Sequence, residues 1–206
     1  MDMLELYLAR HGQSQDNERL VIQGQTSTPL SALGEIQAQR LGSYLDDIKF
    51  DAVYCSDLER AVQTARIAVP SIEPVLCTEL REWNLGVLQK HTHEEAKKLF
   101  PFAYGLLCTK ESCKKIPDGE SYDDMIARST AMVARIVEKH RSGRILVVSH
   151  GGTIRALRKG LLAEDSVPAL LNASLSRLDY CDGRWTVGFW NEASYLADLV
   201  SNNGEH

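Results

Sequence analysis

The sequence lacks most of what would commit it to a nucleic acid, a membrane or an oxidising compartment. No run of Lys or Arg exceeds two residues and the formal net charge is −5, so neither nucleic acid nor an anionic membrane surface is expected as its main partner. An acidic chain can still hold an anion wherever a few basic groups converge. Long hydrophobic runs are missing: stretches such as Ile145 to Val148 fall far short of the roughly 20 residues that a spanning helix needs. Met1 to Tyr7 carries two acids and no base, so no secretory signal is expected. The five cysteines (Cys55, Cys77, Cys108, Cys113 and Cys181) are odd in number and contain no C-x-x-C pair. Neither a disulfide framework nor a zinc site is implied, and reduced thiols in the cytoplasm are the expectation. Cys55 and Cys77 fall in strand-like runs and read as small buried hydrophobes.

Repeats, low-complexity tracts and Pro/Gly/Ser linkers are also absent. With 206 residues, 44% of them hydrophobic and 25% charged, residues 1–206 read as a single domain with chain enough for one sizeable core. What is present is an alternation of elements. Leu4 to Ala9 reads as a first strand. Ser31 opens a helical pattern with Leu33, Ile36, Leu41, Tyr44, Leu45 and Ile48 near helical spacing. Ala52 to Cys55 reads as the second strand, and Ser56, three residues before Glu59, has the signature of a capping box for the next helix. Pro74 to Cys77 reads as the third strand. Ser121 and Asp124 open the strongest helical pattern, whose apolar face is Met125, Ile126, Met132, Val133, Ile136 and Val137, with Gly143 after its end. Arg144 to Ser149 is a buried strand of the parallel type, and Gly151 to Leu162 a further helix. Leu175 to Tyr180 and Arg184 to Phe189 flank Asp182-Gly183, a hairpin signal. The pattern predicts an α/β fold, a three-layer α/β/α sandwich on a mostly parallel central sheet with an antiparallel strand. Residues 86–120 fit the alternation poorly and read as an insertion or cap.

Polar residues gather where the predicted strands end. Arg10-His11-Gly12 follows the first strand and Ser149-His150-Gly151-Gly152 follows the buried one. Ligands on open α/β sheets bind beyond the carboxyl ends of parallel strands, so the two histidines are expected to face one another across a small pocket. The glycines let backbone N–H groups approach an anion. Arg60, in the first turn after the second strand, and Glu82, after the third, point to the same rim. Two guanidinium groups suit a phosphoryl dianion. A neutral imidazole is a competent nucleophile toward phosphorus, and a protonated carboxyl group can supply the proton that a leaving alkoxide needs.

With these residues in view, the chain resembles the histidine phosphatase superfamily, in the branch that contains the cofactor-dependent phosphoglycerate mutases. The matching text is Arg10-His11-Gly12-Gln13-Ser14 with Asn17, Gln23-Gly24, Thr28-Pro29-Leu30-Ser31 with Gly34 and Gln37-Ala38. It continues through Ser56-Asp57-Leu58-Glu59-Arg60-Ala61, Gln63-Thr64-Ala65 and Leu80-Arg81-Glu82 with Gly86. Pro117-Asp118-Gly119-Glu120-Ser121, Ser149-His150-Gly151-Gly152 and Trp190-Asn191 complete the set. The resemblance implies a phosphatase that needs neither metal nor cofactor and acts on a small-molecule phosphate ester. It implies that His11 is the nucleophile, forming a phosphohistidine, that Arg10, Arg60 and His150 make the phosphate pocket, and that Glu82 is the proton donor. Asn17, Gln23, Gly24 and Gly151 would lie on the substrate side.

The chain also differs from the mutases. Their E-R-x-Y stretch is replaced by Glu82-Trp83-Asn84-Leu85, and no paired arginines occur between 86 and 120. Gln89-Lys90 stands where many of the phosphatases carry an acid and a glycine, and Thr26-Ser27-Thr28 replaces the usual acid before Pro29-Leu30. These differences bear on the substrate more than on the chemistry; a phosphatase is the leading reading, a phosphoglycerate mutase the first rival, and a catalytically inactive phosphate-binding homologue the rival from another class. No oligomeric state is implied. Outside the motifs, His91 and His93 form an H-x-H pair with no third ligand nearby and read as surface residues, as do His140 and His206. Lys90, Lys97, Lys98, Lys110, Lys114 and Lys115 read as a solvated face. Phe100, Phe102, Tyr104, Leu106 and Leu107 either line a cap over the leaving group or pack the insertion onto the core.

Overall fold

The computed structural model describes residues 3–109, 113–164 and 167–200; Lys110 and His206 lie outside these. The described residues form β1 (Leu4–Arg10), α1 (Gln15–Glu18), α2 (Ala32–Leu45), β2 (Ala52–Ser56), α3 (Glu59–Ala68) and β3 (Val75–Cys77). There follow α4 (His93–Leu99), α5 (Pro101–Thr109), α6 (Tyr122–His140), β4 (Gly143–Ser149), α7 (Gly151–Leu162), β5 (Leu175–Cys181), β6 (Arg184–Glu192) and α8 (Ala197–Val200). The strands make one sheet in the order β3-β2-β4-β1-β5-β6. β1, β2, β3 and β4 are mutually parallel, while β5 runs antiparallel to both β1 and β6. The expected mixed sheet is the observed one.

The strand period of two divides the core. Leu4, Leu6 and Leu8 of β1, with Ile145 and Val147 of β4, face Met132, Val133 and Ile136 of α6 and Ile154 and Leu157 of α7. Tyr7 and Ala9, with Leu146 and Val148, face Leu41 and Leu45 of α2 and Ala61 and Ala65 of α3. Two helical layers therefore cover the two faces of the sheet. α7 starts and ends where the sequence places it, and the Asp182-Gly183 turn takes positive φ at both residues, as a two-residue hairpin requires.

The expectations for α2 and for Ser56 change. On α2 the buried residues are Gly34, Gln37, Ala38, Leu41, Gly42 and Leu45, whereas Ile36 and Tyr44 are exposed. A Cβ on Gly42 would press on the Ala68 carbonyl at 3.0 Å, so this face combines the apolar Leu41 and Leu45 with positions that demand small size. Ser56 does not cap α3. The N-cap is Leu58, without a side-chain bond, and the Ser56 hydroxyl is turned instead toward His150. The described part of residues 86–120 contains two helices, α4 and α5. Thr92 and Glu95 form a capping box at α4, and Trp83, Leu85, Leu88, Ala96, Ala103, Leu106 and Ile116 build a third apolar cluster with Tyr122 and Met125 of α6. His140 is half-buried, its Nε2 2.9 Å from the Tyr54 hydroxyl. Among the described residues no helix is long and apolar enough to cross a membrane.

Candidate active site

The register of the two central strands brings the two histidine motifs together. Arg10 pairs with Ser149 at the carboxyl edge, and the His11 N–H continues the ladder to the Ser149 carbonyl at 3.0 Å. His11 and His150 therefore leave adjacent strand ends, and their ring centroids lie 5.1 Å apart in an edge-to-face arrangement. Both are buried.

The tautomer of His11 follows from its contacts. Nδ1 lies 2.6 Å from the Gly12 carbonyl, which can only accept, so Nδ1 carries the proton and Nε2 keeps its lone pair. Arg60 Nε donates toward that Nε2 at 3.3 Å. Burial, reinforced by the positive charges of Arg60 and Arg10, holds His11 well below the ordinary histidine range. The imidazole is thus neutral, and its unprotonated Nε2 lies beside Arg60 on a residue that lines a cavity. The backbone is held as well: Gly12 N–H donates to Thr64 Oγ1 at 3.1 Å, and Ala173 N–H donates to the His11 carbonyl at 3.0 Å.

Arg60, on the first turn of α3, is almost wholly buried. Its Nη1 donates to the Thr26 carbonyl and its Nη2 to the Gly24 carbonyl, both at 2.8 Å, which leaves two N–H groups unspent. Gly24 presents its carbonyl from positive φ, and a Cβ there would run into the Gln89 side chain. Arg10 is anchored through Nη1 to the Leu170 carbonyl, and its buried Nε has no partner. Burial lowers both guanidinium groups to about 10; both stay charged at neutral pH.

His150 is buried behind the cavity wall. Ser56 Oγ accepts from Leu58 N–H at 3.3 Å, and the hydroxyl can give its proton to His150 Nε2, 2.8 Å away. In that tautomer the ring proton sits on Nδ1, which is buried and unpartnered. Burial first, then Arg60, holds His150 well below its ordinary range. Buried polar groups are nearly always bonded, so Arg10 Nε and His150 Nδ1 form a local deficit of acceptors. An anion would fill it.

Glu82 reaches the same place from the loop after β3. Its Oε2 accepts from Gly152 N–H at 2.9 Å and its Oε1 from Trp83 N–H at 2.8 Å. A Cβ on Gly152 would fall on Oε1, so the second glycine of His150-Gly151-Gly152 is the space that the carboxyl group occupies. Arg10, His11, Asn17, Gln23, Gly24, Arg60, Glu82 and Gly151 all line one cavity of about 310 Å³. Of the residues singled out in the sequence, His150 alone stands outside its wall. Asn17 Oδ1 accepts from Ser14 and from Asn172, and Gln23 Oε1 accepts from Ser14 Oγ, which leaves both amide nitrogens as donors for a ligand.

The cavity is also lined by Val21, Ile22, Trp83, Leu85, Leu107, Arg155 and Leu170, which carried no motif, and by His93 of the H-x-H pair, which had read as a surface residue. Leu107 faces the cavity, Leu106 packs in the core and Phe102 is exposed, so the two readings of that aromatic-rich stretch hold for different residues. His93 bonds Tyr104 at 3.2 Å and His91 packs on Phe100. Among the described residues no three His, Cys, Asp or Glu side chains are grouped to hold a metal ion. Arg128 carried no signal in the sequence and Ser56 read as a helix-start residue; neither lines the cavity. The pocket as a whole combines a neutral nucleophilic nitrogen, donors aimed at an anion and a carboxyl group.

Comparison with known proteins is consistent with this chemistry. The sequence profile of the histidine phosphatase superfamily (branch 1) matches residues 6–193. The chain is 36% identical over 205 residues to phosphoglycerate mutase-like protein 4 of Arabidopsis thaliana, covering 96% of this chain and 89% of that protein. It is 32% identical over 206 residues to the metal-independent phosphoserine phosphatase of the same plant, covering 96% and 85%. Among solved structures, Bacillus stearothermophilus YhfR superposes with a TM-score of 0.88 at 28% identity, covering 94% of this chain and 99% of that one.

Proposed function

The chain belongs to the histidine phosphatase superfamily, branch 1, and on that footing we propose that it hydrolyses the phosphate monoester of a small metabolite through a phosphohistidine on His11. The observation that carries this reading is the lone pair of His11 Nε2 held beside Arg60 within a cavity that also contains Arg10 and Glu82. In the first step Nε2 attacks phosphorus in line with the ester oxygen. The P–N bond forms, the P–O bond to the leaving group breaks, and Glu82 gives its proton to the departing oxygen. In the second step water attacks the phosphohistidine while the Glu82 carboxylate takes its proton. The P–N bond breaks, inorganic phosphate leaves and His11 returns to its starting tautomer.

Charge spreads over the three equatorial oxygens as each step proceeds. Arg10, Arg60 and the Nδ1–H of His150 are fixed donors that meet this charge without reorganising, and the route draws on no metal ion. Asn17 and Gln23 contribute amide N–H groups to the same oxygens. In this reading α4 and α5 belong to the single domain as the roof of the cavity, and the five free thiols suit a reducing compartment such as the cytoplasm.

The test is to trap the phosphoenzyme. Brief incubation with a 32P-labelled phosphomonoester followed by quenching in alkali is expected to give an alkali-stable, acid-labile label on the wild-type protein. His11→Ala should give none and should not turn over. A label that persists in that variant removes His11 as the nucleophile.

A further inference from the structure

The cavity above His11 carries more positive charge than one phosphoryl group uses. Its walls present three guanidinium groups, Arg10, Arg60 and Arg155, and one carboxyl group, Glu82. When Glu82 holds the proton it is about to donate, a phosphoryl group of about two negative charges leaves one positive charge unmatched. Position identifies which. Arg60 lies against His11 Nε2, and Arg10 is adjacent to His11 in the chain with its unpartnered Nε packed at Gly151. Arg155 sits one turn into α7. Its Nε donates back to the Gly151 carbonyl at 3.1 Å, and its two terminal nitrogens meet no acceptor among the described residues.

Beside Asn17, Gln23, Trp83 and His93, the cavity presents four aliphatic side chains, Val21, Ile22, Leu85 and Leu107. These side chains offer nothing to a hydroxyl group, and burying hydroxyls without partners costs free energy. We propose that Arg155 is a specificity-determining residue that binds one carboxylate borne by the leaving group of an ester with a hydrocarbon framework. The proposal rests on the hydrolase reading above. A carboxylate matches the planar fork of a single guanidinium in shape and charge. A second phosphoryl dianion would overdraw the one remaining charge, and a polyol would set hydroxyls against those four aliphatic side chains.

Matched ligands separate the two claims. For turnover, 3-phosphonooxypropionate is compared with propyl phosphate, with p-nitrophenyl phosphate as reference. For binding without chemistry, 4-phosphonobutyrate is compared with butylphosphonate by calorimetry. The wild-type protein is expected to favour the carboxylate-bearing member of each pair by about tenfold to a hundredfold, the range of a charged hydrogen bond. In Arg155→Gln both ratios should fall toward one, and in Arg155→Lys they should recover in part. Equal treatment of the paired ligands by the wild type, a preference that survives in Arg155→Gln, or better turnover of glycerol and sugar phosphates would each overturn the proposal. Absence of turnover on every ester, with the phosphonate preference intact, would overturn the hydrolase reading and leave the carboxylate site standing.

Discussion

Arg128 Nη2 donates to the main-chain carbonyl of Glu82 at 2.9 Å, and the same guanidinium has no N–H group left over. Nη1 donates to the carbonyls of Glu79 and Arg81 at 2.8 and 2.7 Å, and Nε and Nη2 grip the Glu120 carboxylate at 3.0 and 2.6 Å. Glu120 in turn accepts Asn84 N–H at 2.8 Å, while its carbonyl accepts the Trp83 indole N–H at 2.9 Å. A core helix thus holds the loop that aims Glu82, through a pair mostly withdrawn from water.

Arg128→Lys keeps the charge and loses the fork. Turnover of alkyl phosphates is expected to fall roughly a hundredfold, at the lower end of what a general acid contributes. Aryl phosphates, whose leaving groups need no proton, should lose far less. Equal losses on both classes would reduce Arg128 to a purely structural role.

Gly152→Ala tests the packing of Glu82 directly. The new Cβ displaces Oε1 and removes the carboxyl group from Gly152 N–H. Alkyl ester turnover should drop about a hundredfold, with p-nitrophenyl phosphate affected much less. Because the displaced group is the end of a flexible side chain, the melting temperature should move by only a few degrees. Wild-type rates on both ester classes would show that Glu82 is not held by this contact.

Ser56→Ala separates a cap from a phosphate-site support. The loss leaves His150 Nε2 buried without its partner and should cost about 1–3 kcal/mol of stability. It should also weaken vanadate inhibition, with Ser56→Thr restoring both. Reduced stability with unaltered vanadate affinity would limit Ser56 to a structural contact with His150.

The buried histidines set a pH dependence of stability. Both are held well below their unfolded value near 6.5, so below that pH the unfolded chain binds more protons than the folded one. Stability should therefore be insensitive to these groups above 6.5 and fall progressively as pH drops beneath it, until their folded values are reached. Chemical denaturation at pH 7.5, 6.5 and 5.5, with NMR titration of the imidazoles, measures both. A His11 resonance titrating at or above 6.5 would contradict the neutral nucleophile.

Local signals survive folding wherever the interaction they describe is itself local. Ser31 caps α2 and Ser121 caps α6 by bonds three residues away, and the Asp182-Gly183 turn depends on its own two φ angles. Ser56 was misleading because its hydroxyl had two satisfactions available, one three residues ahead and one 94 residues away on His150. Burial of His150 decided between them. The buried face of α2 misled for a related reason: counting apolar residues cannot see Gly34 and Gly42, which are selected by the backbone they touch. Thr92 and Glu95 did carry a legible helix start within the 86–120 segment, where the alternation of strands had drawn the eye away.

The sequence by itself determined the alternating α/β order and the chemical types gathered at strand ends, His11, Arg10, Arg60, Glu82 and His150, because periodicity and motif order are properties of neighbours along the chain. Only the tertiary structure decided that Nε2 is the free nitrogen of His11, that Gly152 makes room for Glu82, that Arg128 anchors the loop and that Arg155 faces the cavity. Those facts depend on side chains that meet across separate elements, and a bond between distant residues acquires its distance and direction only when the sheet is assembled.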